Sequence, residues 1–225
     1  MRHGAVDYFG ADGRAVPPEG VVLNAAGRAQ AEAAGRLFGE HRVRFDRVVT
    51  SGLPRTLETA QRVLAAAGHS VPLEVEPAFE EIRPGRLADL PPHRVEDAFL
   101  GAFRASEDIE AQRFLGGESV GELLDRVLPA FDALLAEPGW SELLLVLHGG
   151  VNRALISRAL AGRRAFFGPL EQLPACINLI DAGPADLVVR AVNLAPTQWL
   201  QRDERTTTLE KLYAEYRRFA AAQDR

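Results

Sequence analysis

Two of the five histidines in this 225-residue chain stand directly before a glycine, in different surroundings. His3 lies in the triplet RHG at 2–4 beside Arg2, whereas His148 closes the apolar run ELLLVL at 142–147 and precedes Gly149 and Gly150. An imidazole can serve as nucleophile, general base or hydrogen-bond donor near neutral pH. Arg55, in SGLPRTLETA at 51–60, falls where a helix should start, and a cation there opposes the helix dipole. An anion between the guanidinium and the helix N–H groups removes that conflict, which points to a phosphate or carboxylate pocket; a solvated surface arginine is the other reading. Glu80 and Glu81, in FEEIRPG at 79–85, are adjacent carboxylates in a stretch without period and serve either as proton donors or as solvated charge. His41, His69 and His93 sit in polar loop or helix-end contexts and receive no role. No histidine pair has the HExxH spacing of a zinc site, so no metal is expected.

These residues need elements to hold them. Asn24 reads as the N-cap of a helix to about residue 40, with Ala26, Ala29, Ala33 and Leu37 on one face. RVVTS at 47–51 is a short strand feeding a helix from Pro54 to Ala67 that Gly68 stops. VPLEVEP at 71–77 alternates like an edge strand, and a helix is expected over 93–105. Ser119 and Glu122 form a capping box ahead of a long amphipathic helix in which Pro129 should cause a kink or local strain. ELLLVL has no polar face, as suits a strand covered on both sides in a parallel sheet, and VNRALISRALA after it is helical. Two further strands, 175–181 and 186–194, should pair antiparallel. Thr207 and Glu210 make a second capping box before a tail stripe of Leu209, Leu212, Tyr213, Tyr216 and Phe219. Residues 5–22, rich in Gly and Pro, form a long loop. Strands alternating with helices predict an α/β protein, a three-layer α/β/α sandwich.

A formal charge of −5 argues against nucleic acid or an anionic membrane surface as partner. Cys176 is the single cysteine, which excludes an internal disulfide and fits a cytoplasmic protein. No stretch nears the roughly 20 apolar residues of a membrane span, and the polar start has no signal-peptide core. Small solutes or proteins are the partners left. The tail stripe can dock on the domain, the preferred reading, or form a dimer seam, so monomer and homodimer are both compatible.

The pieces occur in a particular order: RHG, then LNAAGRAQAEAAG, SGLPRTLETA, FEEIRPG, GGES opening a helix, and LLVLHGG. As a set they resemble the histidine phosphatase superfamily, the phosphoglycerate mutase-like fold, over residues 2–160. The resemblance implies His3 as nucleophile, Arg2, Arg55 and His148 as phosphate-binding groups, and an acid at Glu81, preferred over Glu80 because Phe79, Glu81 and Gly85 fit the family's Leu-x-Glu-x-x-x-Gly pattern. It implies a mostly parallel sheet with an antiparallel C-terminal strand, and one domain over 1–225. Within it an insertion at about 78–118 would cover the site and a C-terminal helix would span about 207–222. It also implies a histidine acid phosphatase-type hydrolase, free of metal and cofactor, acting through phosphohistidine on a small phosphorylated metabolite.

The family's mutase branch carries Glu or Ser and then Trp-Asn soon after the RHG. Ala5, Val6, Asp7 and Tyr8 follow here, which favours water as the acceptor. Cofactor-dependent phosphoglycerate mutase and a non-catalytic phosphate-binding module are the alternatives. Arg14, Arg83, Arg86, Arg94, Phe99 and Phe103 are candidate pocket walls, with solvated arginine and core phenylalanine as their competing readings. In this fold a central strand precedes the RHG, and only Met1 precedes it here. The expectation is that this strand is missing, that the true start lies upstream, and that activity of the chain as written is impaired.

Overall fold

Strands β1 (Arg47–Thr50), β2 (Leu73–Val75) and β3 (Leu143–Val146) form a parallel sheet in the order β2-β1-β3. The computed structural model describes residues 1–10, 14–104, 106–198 and 206–223. Helices α1 (Ala25–Glu40) and α2 (Pro54–Ala66) bracket β1 in the chain, and α4 (Val120–Ala136) and α5 (Gly149–Ala161) bracket β3. Alternation along the strands sends side chains to opposite faces. Val48, Leu144 and Val146 pack with Ala31, Ala34, Ala60 and Val63 of the first helix pair. Val49 and Leu147 pack with Leu123, Val127, Val151 and Leu155 of the second. That is the expected three-layer sandwich.

The caps form as the sequence expects. Asn24 accepts from the Gly27 N–H at the start of α1, and Ser119 and Glu122 exchange both bonds of their box. α4 runs unbroken through Pro129, whose ring removes only the N–H that would have reached the Asp125 carbonyl. β2 is shorter than the expected 71–77 because Pro72 and Pro77 flank it and cannot donate to the ladder. The helix expected over 93–105 is only α3 (Val95–Leu100), behind a 3-10 turn at Pro92–Arg94 and ended at Gly101. The rest of 78–118 is largely short 3-10 turns and loops.

β4 (Ile177–Ala182) and β5 (Leu187–Leu194) pair antiparallel as a separate two-stranded sheet. Residues 1–3 bridge the two sheets. Met1 donates its amine to the Leu145 carbonyl (2.6 Å), Leu147 donates to Met1 O (2.9 Å) and His3 donates to Leu147 O (2.9 Å). On the other side Arg2 donates to Cys176 O and Ala175 donates to His3 O, both at 3.0 Å. One parallel bridge, Arg2 to Leu147, thus stands where a full central strand would join the sheets. Burial lowers the Met1 amine to a pKa of about 6. Beneath it a cavity of about 980 Å³ separates β3 from β4, lined by Leu144, Leu145, Ile177 and Leu179 among others. α6 (Thr208–Gln223) docks on the body: Tyr213 and Tyr216 lie against Phe99, and Tyr216 and Phe219 against Phe9.

Candidate active site

All of the expected site residues converge at the carboxyl ends of β1 and β3, the usual ligand edge of an open α/β sheet. Arg2, His3, Arg55 and His148 are 5%, 1%, 3% and 0% exposed, so this is a buried floor and not a surface patch. The His3 and His148 rings meet edge to face with centroids 5.2 Å apart. The cavity between β3 and β4 is lined by Met1 and by residues of those strands and the helices around them, and holds none of these four groups.

His3 is fixed through its backbone by Leu147 and Ala175, and the chain leaves it through a position that only glycine fits. A Cβ on Gly4 would lie 2.4 Å from the Gly27 carbonyl at the start of α1. Gly4 also donates to Thr59 Oγ1 (3.1 Å), whose own proton goes to the Arg55 carbonyl (2.7 Å). The His3 ring nitrogen Nδ1 lies 2.7 Å from the Gly4 carbonyl. A carbonyl can only accept, so Nδ1 carries the hydrogen and Nε2 keeps its lone pair. Burial, then the charges of Arg2 and Arg55, hold His3 well below the ordinary histidine pKa. The imidazole is therefore neutral, with Nδ1 committed and a lone pair on Nε2.

His148 ends β3 and is the N-cap of α5, but its side chain does not cap. Its Nε2 lies 2.8 Å from Ser51 Oγ, which lies 3.1 Å from Thr56 Oγ1; Thr56 in turn donates to Leu53 O (2.8 Å). Each hydroxyl has one proton, so the donors run His148 to Ser51 to Thr56 to Leu53 O, leaving the buried Nδ1 as a bare lone pair without a partner. Burial, Arg55 and then His3 keep this ring neutral too.

Both arginines are anchored in the same way. Arg2 Nη1 donates to Gln172 O (2.6 Å) and Arg55 Nη1 donates to Pro18 O (2.9 Å), while the buried Nε of each has no partner. Burial lowers the Arg55 pKa, the expected response of a cation taken out of water, and Tyr8 and Glu81 act against that shift. Two neutral rings and two incompletely paired guanidinium groups in a buried floor offer what an anion needs for binding.

Glu81 reaches this floor from the 78–118 segment. Its Oε1 accepts from the Ile82 N–H (2.9 Å), and both oxygens accept from the Gly150 N–H (3.1 Å each) in the first turn of α5. A Cβ on Gly150 would sit 2.5 Å from Oε1, so this approach needs the second glycine of HGG. A Cβ on Gly149 would lie 3.7 Å from both Arg2 Nε and Glu81 Oε2, so both groups border this glycine. Glu80 turns away to Arg83 at 3.5 Å. Arg126 clamps the loop behind Glu81 by donating to the carbonyls of Ala78, Glu80 and Glu81, and pairs with Glu118 at 2.7 Å. Burial would raise the Glu118 pKa, but the hydrogen bonds from Arg126 and the Arg83 N–H outweigh it and hold it low.

Of the candidate walls, Phe99 and Phe103 are core residues, and Arg153 stacks on the Phe103 ring at 5.2 Å. Arg83 and Arg86 pair with acids at the surface, and Arg14 and Arg94 are exposed. Ser51, Thr59, Arg126, Gln172 and Thr208 support the site without having been singled out for that work. The first two could have been found, since Thr59 lies one turn after Arg55 on the same helix face. The others come from distant elements and leave no local signal. Among the described residues no cluster of His, Cys, Asp or Glu is placed to hold a metal ion, and no helix is long and apolar enough to cross a membrane.

A family model described as the histidine phosphatase superfamily (branch 1) matches residues 1–195. The Arabidopsis thaliana phosphoglycerate mutase-like protein 4 is 32% identical over 64% of this chain and 63% of its own length, so the match spans less than two thirds of that relative. An acid phosphatase of Mycobacterium tuberculosis is 32% identical over 78% of this chain and 83% of its own. Among solved structures, the alpha-ribazole phosphatase from Shigella flexneri aligns with a TM-score of 0.66 and 27% identity, covering 86% of this chain and 94% of that one.

Proposed function

The chain belongs to the histidine phosphatase superfamily, and from that premise we propose that it hydrolyses small phosphomonoesters through a phosphohistidine at His3. The observation that carries this reading is the His3 ring itself: neutral, buried, with Nδ1–H held by the Gly4 carbonyl and the Nε2 lone pair free. Nε2 attacks phosphorus, the P–N bond forms as the P–O bond to the leaving group breaks, and Glu81 delivers the proton that the departing oxygen needs. In the second half Glu81 takes a proton from water, whose oxygen attacks phosphorus and releases inorganic phosphate and free His3.

The free Nε edges of Arg2 and Arg55 hold the phosphoryl oxygens, supplying without a metal the positive charge that phosphoryl transfer needs. His148 joins them once a phosphoryl dianion brings counter-charge to the floor: Nδ1 then carries a proton and donates it to an oxygen. The described parts of the 78–118 segment and of the loop 5–22 are the candidate walls of the pocket above. The relatives' names cover both an acid phosphatase and a mutase-like protein, and water as acceptor is the reading that Ala5 to Tyr8 favour.

Brief incubation with a phosphate-labelled ester and an alkaline quench tests this. The expected result is an acid-labile, alkali-stable label on His3, formed at the rate of turnover. Turnover with no such label overturns the mechanism. Conversion of 3-phosphoglycerate to 2-phosphoglycerate on adding 2,3-bisphosphoglycerate assigns the acceptor to the substrate instead of water.

A further inference from the structure

Arg2 has three guanidinium nitrogens, and the fold commits one of them to anchoring. Nη1 donates to the Gln172 carbonyl at 2.6 Å and to the Thr208 hydroxyl at 3.0 Å, which uses both of its hydrogens. The plane of the guanidinium is then set, and with it the direction in which the unpartnered Nε side faces. Gln172 belongs to the loop before β4, whereas Thr208 arrives from far along the chain as the first residue of α6.

Thr208 is itself aimed. Its one hydroxyl proton goes to Glu171 Oε1 at 2.7 Å, which turns the oxygen lone pairs toward Arg2. The same Oε1 accepts the Thr208 N–H at 3.3 Å, and Glu171 Oε2 lies 3.6 Å from Arg153 Nη2. Arg153 is buried and cannot drift, since it donates Nε to the Gly168 carbonyl (3.0 Å) and Nη1 to the Gly149 carbonyl (3.1 Å). α6 is registered further along by Tyr213 against Phe99 and by Phe219 against Phe9. The hydroxyl therefore sits at the end of a fixed relay from Arg153 through Glu171.

We propose that Thr208, held by Glu171, is a positioning residue that orients Arg2 for the transferred phosphoryl group. The inference rests on the reading of Arg2 as a phosphate ligand. It makes the C-terminal helix part of the phosphate site, and it predicts a loss in phosphate binding without a loss of fold.

Thr208→Val keeps the shape and removes the acceptor, Thr208→Ser keeps the acceptor, and Glu171→Gln weakens the relay. The measurements are KM and kcat for p-nitrophenyl phosphate, competitive inhibition by orthovanadate and by inorganic phosphate, and the thermal midpoint. For T208V the inhibition constants and KM rise about tenfold, the scale of one hydrogen bond to a charged group, with a midpoint near that of the unaltered protein. T208S stays within about twofold of the unaltered protein, and E171Q shifts the same constants by less than T208V does. A T208V protein with a lowered midpoint but unchanged inhibition constants makes Thr208 a mere anchor for α6 and overturns the proposal. Failure of the unaltered protein to turn over ester and to bind vanadate overturns the phosphatase reading and this inference with it. Turnover by the unaltered protein with T208V equal to it overturns this inference alone.

Discussion

The floor of the pocket and its walls are built by different physics. On the floor, Arg2, His3, Arg55 and His148 are nearly sealed from solvent and aimed by hydrogen bonds to main-chain carbonyls or to a hydroxyl chain. Along the 78–118 wall the arginines are exposed and several meet acids in loose pairs, such as Arg86 to Asp89 at 4.0 Å, although Glu118 is drawn into a close pair with Arg126 behind Glu81; the secondary structure is short turns and one helix of six residues. A buried polar group must be satisfied or used, so the floor permits little variation. An exposed ion pair contributes little and can be exchanged without disturbing the chemistry. Under the proposed function the floor, with Glu81 reaching into it, would carry the reaction, and the rest of the wall would be free to choose the substrate.

Replacing the nucleophile sharpens that contrast most. His3→Ala should lower p-nitrophenyl phosphate turnover by about four orders of magnitude or more, because it removes the Nε2 lone pair proposed to form the covalent intermediate. Glu81→Gln should slow an alkyl phosphate about a hundredfold or more but p-nitrophenyl phosphate only a few-fold, since nitrophenolate scarcely needs a proton. Equal losses on the two esters remove Glu81 from the role of acid.

Acid titration of activity and stability is the next test. Both floor histidines have pKa values depressed below the ordinary 6.5 by burial. kcat/KM should therefore hold as pH falls through 6.5 and drop only further down, where His3 takes a proton. The unfolded chain binds protons below 6.5 that the folded floor refuses, so stability is full above that pH and falls as pH falls below it. A kcat/KM inflection at 6.5 or above would show His3 in contact with solvent. The smallest effect belongs to the wall: Arg86→Ala should change p-nitrophenyl phosphate kinetics by less than about twofold. A tenfold loss there breaks the division between floor and wall.

The floor was legible and the wall was not, for one reason. The turn holding Ser51 and Arg55 and the HGG each lie between a strand and a helix, where side-chain direction follows from local geometry, and RHG lies at the bridge that Arg2 makes with Leu147. The capping residues Asn24, Ser119 and Glu122 were legible on the same ground. Thr208 beside Arg2, and Arg126 behind Glu81, depend on contacts between elements distant in the chain, which no local pattern encodes. The expected helix over 93–105 overshot because its apolar residues, Phe99 and Phe103, serve two separate core clusters and not one helix face. The single bridge of Arg2 to Leu147 between the sheets, and the open cavity between β3 and β4, could be seen only in three dimensions.

The main-chain anchoring of the two arginines has a consequence for how such a pocket can vary over generations. A carbonyl is present whatever side chain occupies the position, so exchanges at residues 172 and 18 leave an acceptor for Arg2 and for Arg55 in place. Thr208 is the exception, the side-chain acceptor on Arg2 among the described residues. Genetic drift can therefore adjust the setting of Arg2 through the first turn of the last helix while the main-chain anchors of both arginines are inherited with the backbone.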